Sequence, residues 1–404
     1  MLSVLLLLLL SGLAACDKDV EMAPPSPSED TTGQRADGAQ EALDDLVRAV
    51  QSGSRADAVD AAAKDSAELL GSVYDNAEAL RIGDLSMRYV DEGTPLDQRE
   101  QVELGPDAWR GTVQLTYRYD GFDESPARME TPVAFVPSGK DVRIASFGGG
   151  DARTPLWLAD RLSVVRTPRT LLAVAAPSTG RYPALVAGAM RQVARVFPEW
   201  KGRLLVEVPE STEELTAALQ AEPGEYDNIA AVTTTADGSL APGAPVRVFV
   251  NPTVFGRLKE RGAQVVMSHE TTHVVTEAPF ATMPTWLLEG FADFVALDDA
   301  GVPVSLAAGQ ILARIRKEGL PDGLPSTQEL DPTANGLGAT YEEAWLACRF
   351  IAEEYGTPSL VRFYRTVNDG GSTQEAFRSV LQTSQREFVA RWRDDLGRLA
   401  GVAG

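Results

Sequence analysis

Read for the spacing of its apolar positions, the chain changes character several times. Residues 1–15 form an uncharged apolar run dominated by leucine, and residues 17–40 show no apolar period and are rich in Pro, Ser, Asp, Glu and Thr. Over 41–80 apolar residues return at helical intervals, first Leu43, Leu46, Val47 and Val50, then Leu69, Leu70 and Val73, which predicts helices. Residues 85–90, 111–119 and 131–136 alternate with period two, and 142–146 adds a fourth strand, with Asp-Gly-Phe-Asp and Pro-Ser-Gly-Lys-Asp as turn signals. Phe147-Gly-Gly-Gly-Asp151 reads as a flexible junction; no Lys-Ser/Thr follows it, so it is no phosphate cradle. Beyond it, 182–197 reads as a helix, 204–208 and 246–250 as strands, and 265–275 and 283–294 as helices rich in bulky apolar residues. The pattern predicts an α+β protein, with a small helix-plus-meander domain over 41–147 and a larger domain over 151–404.

A length of 404 residues accommodates two domains, and 44% hydrophobic residues suffice to build their cores. The apolar run at 1–15 is shorter than the ~20 helical residues that a bilayer core requires, so it reads as a signal peptide. Its end, Leu13-Ala14-Ala15-Cys16, resembles the bacterial lipobox. That resemblance implies a diacylglyceryl anchor on Cys16, residues 16–40 as a lipidated tether, and a place in the cell envelope on the outer face of a membrane. The other cysteine, Cys348, reads as a small core residue, and no disulfide framework exists. Lys and Arg number 37 against 58 Asp and Glu, a net charge of -21, which argues against a nucleic-acid partner because phosphate binding needs the opposite sign.

Only two histidines occur, and both fall in His269-Glu270-Thr271-Thr272-His273. Residues i and i+4 share a helix face, so both imidazoles can reach one Zn2+ ion while Glu270, at another helix angle, addresses a water. A catalytic zinc takes three protein ligands and keeps one position open. With no third histidine available, the third ligand must be a carboxylate. Glu277 lies eight residues from His269, about 12 Å along a helix, too far to share an ion with it. The segment from Met283 to Phe294 offers Glu289 instead, inside a helix opened by Pro284 and flanked by Trp286, Leu287 and Phe291, where a bound metal would offset the cost of burying its charge.

The pair of motifs, HETTH followed by Pro284-x-Trp-Leu-x-Glu-Gly-Phe-Ala-Asp-Phe294, resembles the gluzincin zinc metallopeptidases of the peptidase MA-like group. The resemblance implies His269, His273 and Glu289 as zinc ligands, Glu270 as general base, and Asp293 as the carboxylate that fixes a ligand histidine in its tautomer. It further implies a mixed sheet over an active-site helix, an edge strand that pairs with extended substrate, and a donor for the developing oxyanion. Residues 246–251 hold the matching place for the edge strand, with Val248 and Val250 against substrate, and Tyr341 is the candidate donor. The expected activity is hydrolysis of a peptide or protein substrate, with no histidine left for a serine-type triad. The alternative is a catalytically inert zinc-containing lipoprotein serving as a binding or assembly module. The small first domain resembles NTF2-like or cystatin-like folds, without a diagnostic motif.

Overall fold

The period-two stretches form an antiparallel meander of β1 (Ile82–Glu92), β2 (Trp109–Tyr119), β3 (Ala127–Ser138) and β4 (Asp141–Phe147), paired in that order. The computed structural model describes residues 31–402 apart from 299, 332 and 333. The signal segment and Cys16 therefore lie outside the described residues. Three helices cover one face of the meander, Thr31–Ser52, Arg55–Asp60 and Ala67–Leu80. Leu43, Leu46, Leu70 and Val73 from these helices pack with Val113, Leu115 and Val133 of the strands.

The first of these helices begins earlier than the polar composition of 17–40 suggests. Ala39 is fully buried, and Gln40 donates to the Met87 carbonyl at 3.1 Å and accepts from the Tyr89 amide at 2.8 Å. The tether expected to reach residue 40 thus gives way to a packed helix at Thr31. Small and amide side chains make that contact, and a scale that weighs bulky apolar residues does not register them.

A second sheet follows, formed by β5 (Ser163–Arg166), β6 (Thr170–Val174), β7 (Leu204–Val208), β8 (Ala231–Thr235) and β9 (Val246–Val250) in the order β5-β6-β7-β9-β8. β6, β7 and β9 run parallel, and β5 and β8 close the two edges antiparallel. This is a mixed sheet, and the chain is α+β as expected. Helix Glu260–Val275 carries the HETTH motif and sets Ala263 and Met267 against Val248 and Val250 of the sheet. The remaining chain is helical among the described residues and surrounds helix Thr285–Leu297, with Leu337–Tyr355 as its closest neighbour.

The two sheets share a core. Trp157, Leu171, Ala173 and Leu205 bury themselves against residues of the meander. The glycine run between the sheets is fitted, not loose: Gly148 and Gly149 take φ of 91° and 76°, and a Cβ on Gly149 would sit 2.5 Å from the Arg110 guanidinium.

Candidate metal centre

Helix Glu260–Val275 places His269 and His273 one turn apart on one face, with Nε2 atoms 3.0 Å apart. Helix Thr285–Leu297 crosses it and brings Glu289 Oε2 to 3.2 Å from His269 Nε2 and 3.5 Å from His273 Nε2. Pro284 at the N-cap starts this helix after a turn at Ala278–Phe280, which aims Glu289 back at the histidines. The crossing depends on Gly290. Its helix runs so close to Leu337–Tyr355 that a Cβ on residue 290 would lie 2.4 Å from the Ala344 carbonyl oxygen.

These three donor atoms fit a tetrahedral zinc. Bonds of 2.0–2.1 Å at tetrahedral angles separate ligand atoms by about 3.3 Å, and the observed separations run from 3.0 to 3.5 Å. The charged groups around the donors agree with this fit. His269 Nδ1 lies 2.8 Å from Asp293 Oδ1, so an Nδ1–H donates a hydrogen bond to that carboxylate, and the ring in its neutral form turns a lone pair at Nε2 toward the other two donors. Burial disfavours charge on His269, yet Asp293 and then Glu289 overrule it and raise its pKa well above the ordinary value. Burial also opposes charge on Glu289, and the two histidines more than reverse this, holding the carboxylate far below its usual range. The arrangement therefore favours positive charge at the point where the three donors converge. His273 Nδ1 is buried without a hydrogen-bond partner, so only one of the two rings is braced from behind among the described residues.

Glu270 stands apart from this ligand set, as its place between the two histidines requires. The Thr233 hydroxyl on β8 lies 2.7 Å from Glu270 Oε2 and 3.0 Å from the Glu270 main-chain oxygen, which fixes the carboxylate against the sheet edge. Tyr341 lines the same cavity of about 380 Å³, which has an apolar wall of Ile229, Val265, Val266, Pro279 and Leu288. Burial and the neighbouring Glu289, Asp293 and Glu270 carboxylates push the Tyr341 pKa up, so the phenol keeps its proton and can donate it in a hydrogen bond. Its helix starts at Leu337, which places Tyr341 one turn inside the helix and not at its opening.

The expected edge strand requires correction. β9 lies between β7 and β8, and Val248 and Val250 are completely buried against the HETTH helix, so neither can touch substrate. The edge is β8. It was not legible as a strand because Val232 is its only bulky apolar residue, and Thr233, Thr234 and Thr235 give no alternation. Its β-branched run and the Asp237-Gly238 turn after it were the available signals. Glu277 leaves the helix with φ of 54° and is exposed, so it is no ligand. Cys348 is fully buried in the helical core.

A second carboxylate grouping, Asp160, Glu210 and Glu214, has no histidine. No family model matches the chain, and no curated protein matches it.

Proposed function

We propose that the chain is a zinc-dependent peptide hydrolase of the gluzincin type, held at the outer face of a membrane by a lipid on Cys16. The observation that carries the hydrolase reading is the separation of roles within one cavity. His269, His273 and Glu289 converge, while Glu270 faces the same space from outside the ligand set. A closed structural site would have no use for that extra carboxylate.

His269, His273 and Glu289 would hold the ion, which when bound supplies a Lewis acid that polarises a carbonyl and makes a water easier to deprotonate. The free edge of β8 offers main-chain hydrogen bonds to an extended peptide and aligns its scissile amide over Glu270. Glu270, steadied by Thr233, accepts a proton from the attacking water and passes it to the departing amine nitrogen as the C–N bond breaks. Tyr341 donates a hydrogen bond to the carbonyl oxygen as negative charge builds there. The apolar wall keeps bulk water away from the bond under attack.

Glu270→Gln retains shape but cannot accept a proton. Zinc content should remain near one ion per chain, while cleavage of a broad peptide library falls by about 10²- to 10⁴-fold. Loss of zinc with this substitution would make Glu270 a ligand. A zinc-loaded wild type that cleaves nothing would favour the inert binding module. The lipid is tested separately: intact-mass measurement of membrane-fraction protein should give a chain starting at Cys16 with added acyl mass, and a bare cysteine there would reject the anchor.

A further inference from the structure

A second cavity, of about 410 Å³, opens on the far side of the turn Ala278–Phe280. The turn divides the two spaces: Ala278 and Pro279 face the metal site, and Glu277 and Phe280 face the second cavity. β8 connects them. Residues 229–233 line the metal site, and the loop that leaves the other end of β8 contributes Leu240, Pro242 and Pro245 to the second cavity. The opposite wall comes from the first domain, where Phe122 and Glu124 sit in the turn between β2 and β3.

We infer that this cavity receives the segment of a polypeptide substrate lying upstream of the cleaved bond, so that the site acts within chains and not at their ends. The inference rests on the hydrolase reading above. An antiparallel partner on the free edge of β8 runs toward its own N-terminus as β8 runs from Ala231 to Thr235. At about 3.4 Å per residue, such a strand passes from beside Thr233 to beyond Thr235 in roughly three or four residues. Its upstream side chains then arrive at Leu240 and Phe280.

The chemistry of the two spaces selects the occupant. In the metal site Glu289 and Asp293 face histidines, Glu270 faces Thr233, and no Lys or Arg lines the wall, so nothing is left to clasp a free α-amine or α-carboxylate. In the second cavity Glu124 and Glu277 are exposed and have no ion-pair partner among the described residues, against the single free cation Arg203. Asp123, also in its wall, is already paired with Arg247. Two unpaired carboxylates beside Phe122, Leu240 and Phe280 suit a lysine or arginine, whose alkyl stem lies on apolar surface while its charged end meets a carboxylate.

The test uses zinc-loaded full-length Glu270→Gln protein and fluorescein-labelled peptides of Val, Thr and Lys, blocked at both ends. One has twelve residues, and the other lacks the upstream six. Anisotropy titration should show the long peptide binding about 10-fold tighter, and Glu124→Lys with Glu277→Lys should abolish that advantage and transfer it to a long peptide with Glu in place of Lys. Both positions are exposed, so the double variant should fold, which its circular dichroism checks. Equal affinity at both lengths, or indifference to the charge reversal, would overturn the inference. Cleavage of the long blocked peptide by zinc-loaded wild type is measured in parallel. Binding that depends on length and charge without any cleavage would reject the hydrolase reading and leave the groove standing as a polypeptide site, whereas cleavage without that dependence would do the reverse.

Discussion

At the scale of single residues, Gly290 decides whether Glu289 can do its work. The helix that carries both touches Leu337–Tyr355 through the space where a side chain would be, 2.4 Å from a carbonyl oxygen. Gly290→Ala must push the helices apart, at a cost of about 1–3 kcal/mol in packing. The same displacement moves the neighbouring carboxylate off the histidines, so zinc affinity measured with a competing chelator should fall along with Tm. A substitution that lowered Tm alone would separate the packing role from the metal site. The three converging donors, His269, His273 and Glu289, were legible because spacing encodes their contact: positions four apart on a helix must meet, and the scarcity of histidine pointed to a carboxylate as the third donor. Thr233 was not legible. Its contact with Glu270 spans 37 positions and depends on which strand ends up at the edge, which no local pattern records.

At the scale of elements, Asp160 at the end of the short helix Leu156–Ala159 sits within 4.8 Å of Glu214 in the helix Thr212–Leu219 and of Glu210 just before it, so like charges meet. Burial, together with the adjacent Glu214 and then Glu210, pushes the Asp160 pKa from 3.8 up to about 7. A carboxyl that holds its proton more tightly when folded favours the folded state in acid. That contribution drains away as pH rises from about 4 to about 7, because the unfolded chain has already released the proton. Asp160→Asn should therefore raise Tm relative to wild type at pH 8 and give no advantage near pH 3.5, as differential scanning fluorimetry across that range would show. An equal shift at both ends would mean that packing, not titration, sets the effect. Strands β1 to β4 and the HETTH helix were legible from period and motif. The order β7-β9-β8 was not, because β9 reads as equally apolar whether it closes the sheet or sits inside it.

At the scale of the whole molecule, the two sheets are locked by a buried cluster around Arg247. Its guanidinium donates to Glu207 at 2.7 Å, to the Tyr117 hydroxyl at 3.1 Å and to Asp123 at 3.0 Å, and lies 4.1 Å from the centre of the Tyr119 ring. Arg247 and Glu207 belong to the second sheet, and the two tyrosines and Asp123 come from β2 and the turn after it. Arg247→Ala strands two buried carboxylates and should cost about 3–5 kcal/mol. Urea unfolding should show this as one cooperative transition shifted to lower midpoint; two separate transitions would mean that the sheets fold independently. The glycine run before residue 151 marks a change of sheet, yet nothing in the sequence announces that a strand arginine beyond it pairs with tyrosines before it. The meander and the second sheet thus share one buried ionic cluster. A gene that kept only the half with the HETTH helix would encode a polypeptide with an ionic surface shaped for an absent partner, and a lineage exchanging the leading half for another module would have to supply, in the same event, a strand carrying two phenols and a turn carrying an acid at matching positions.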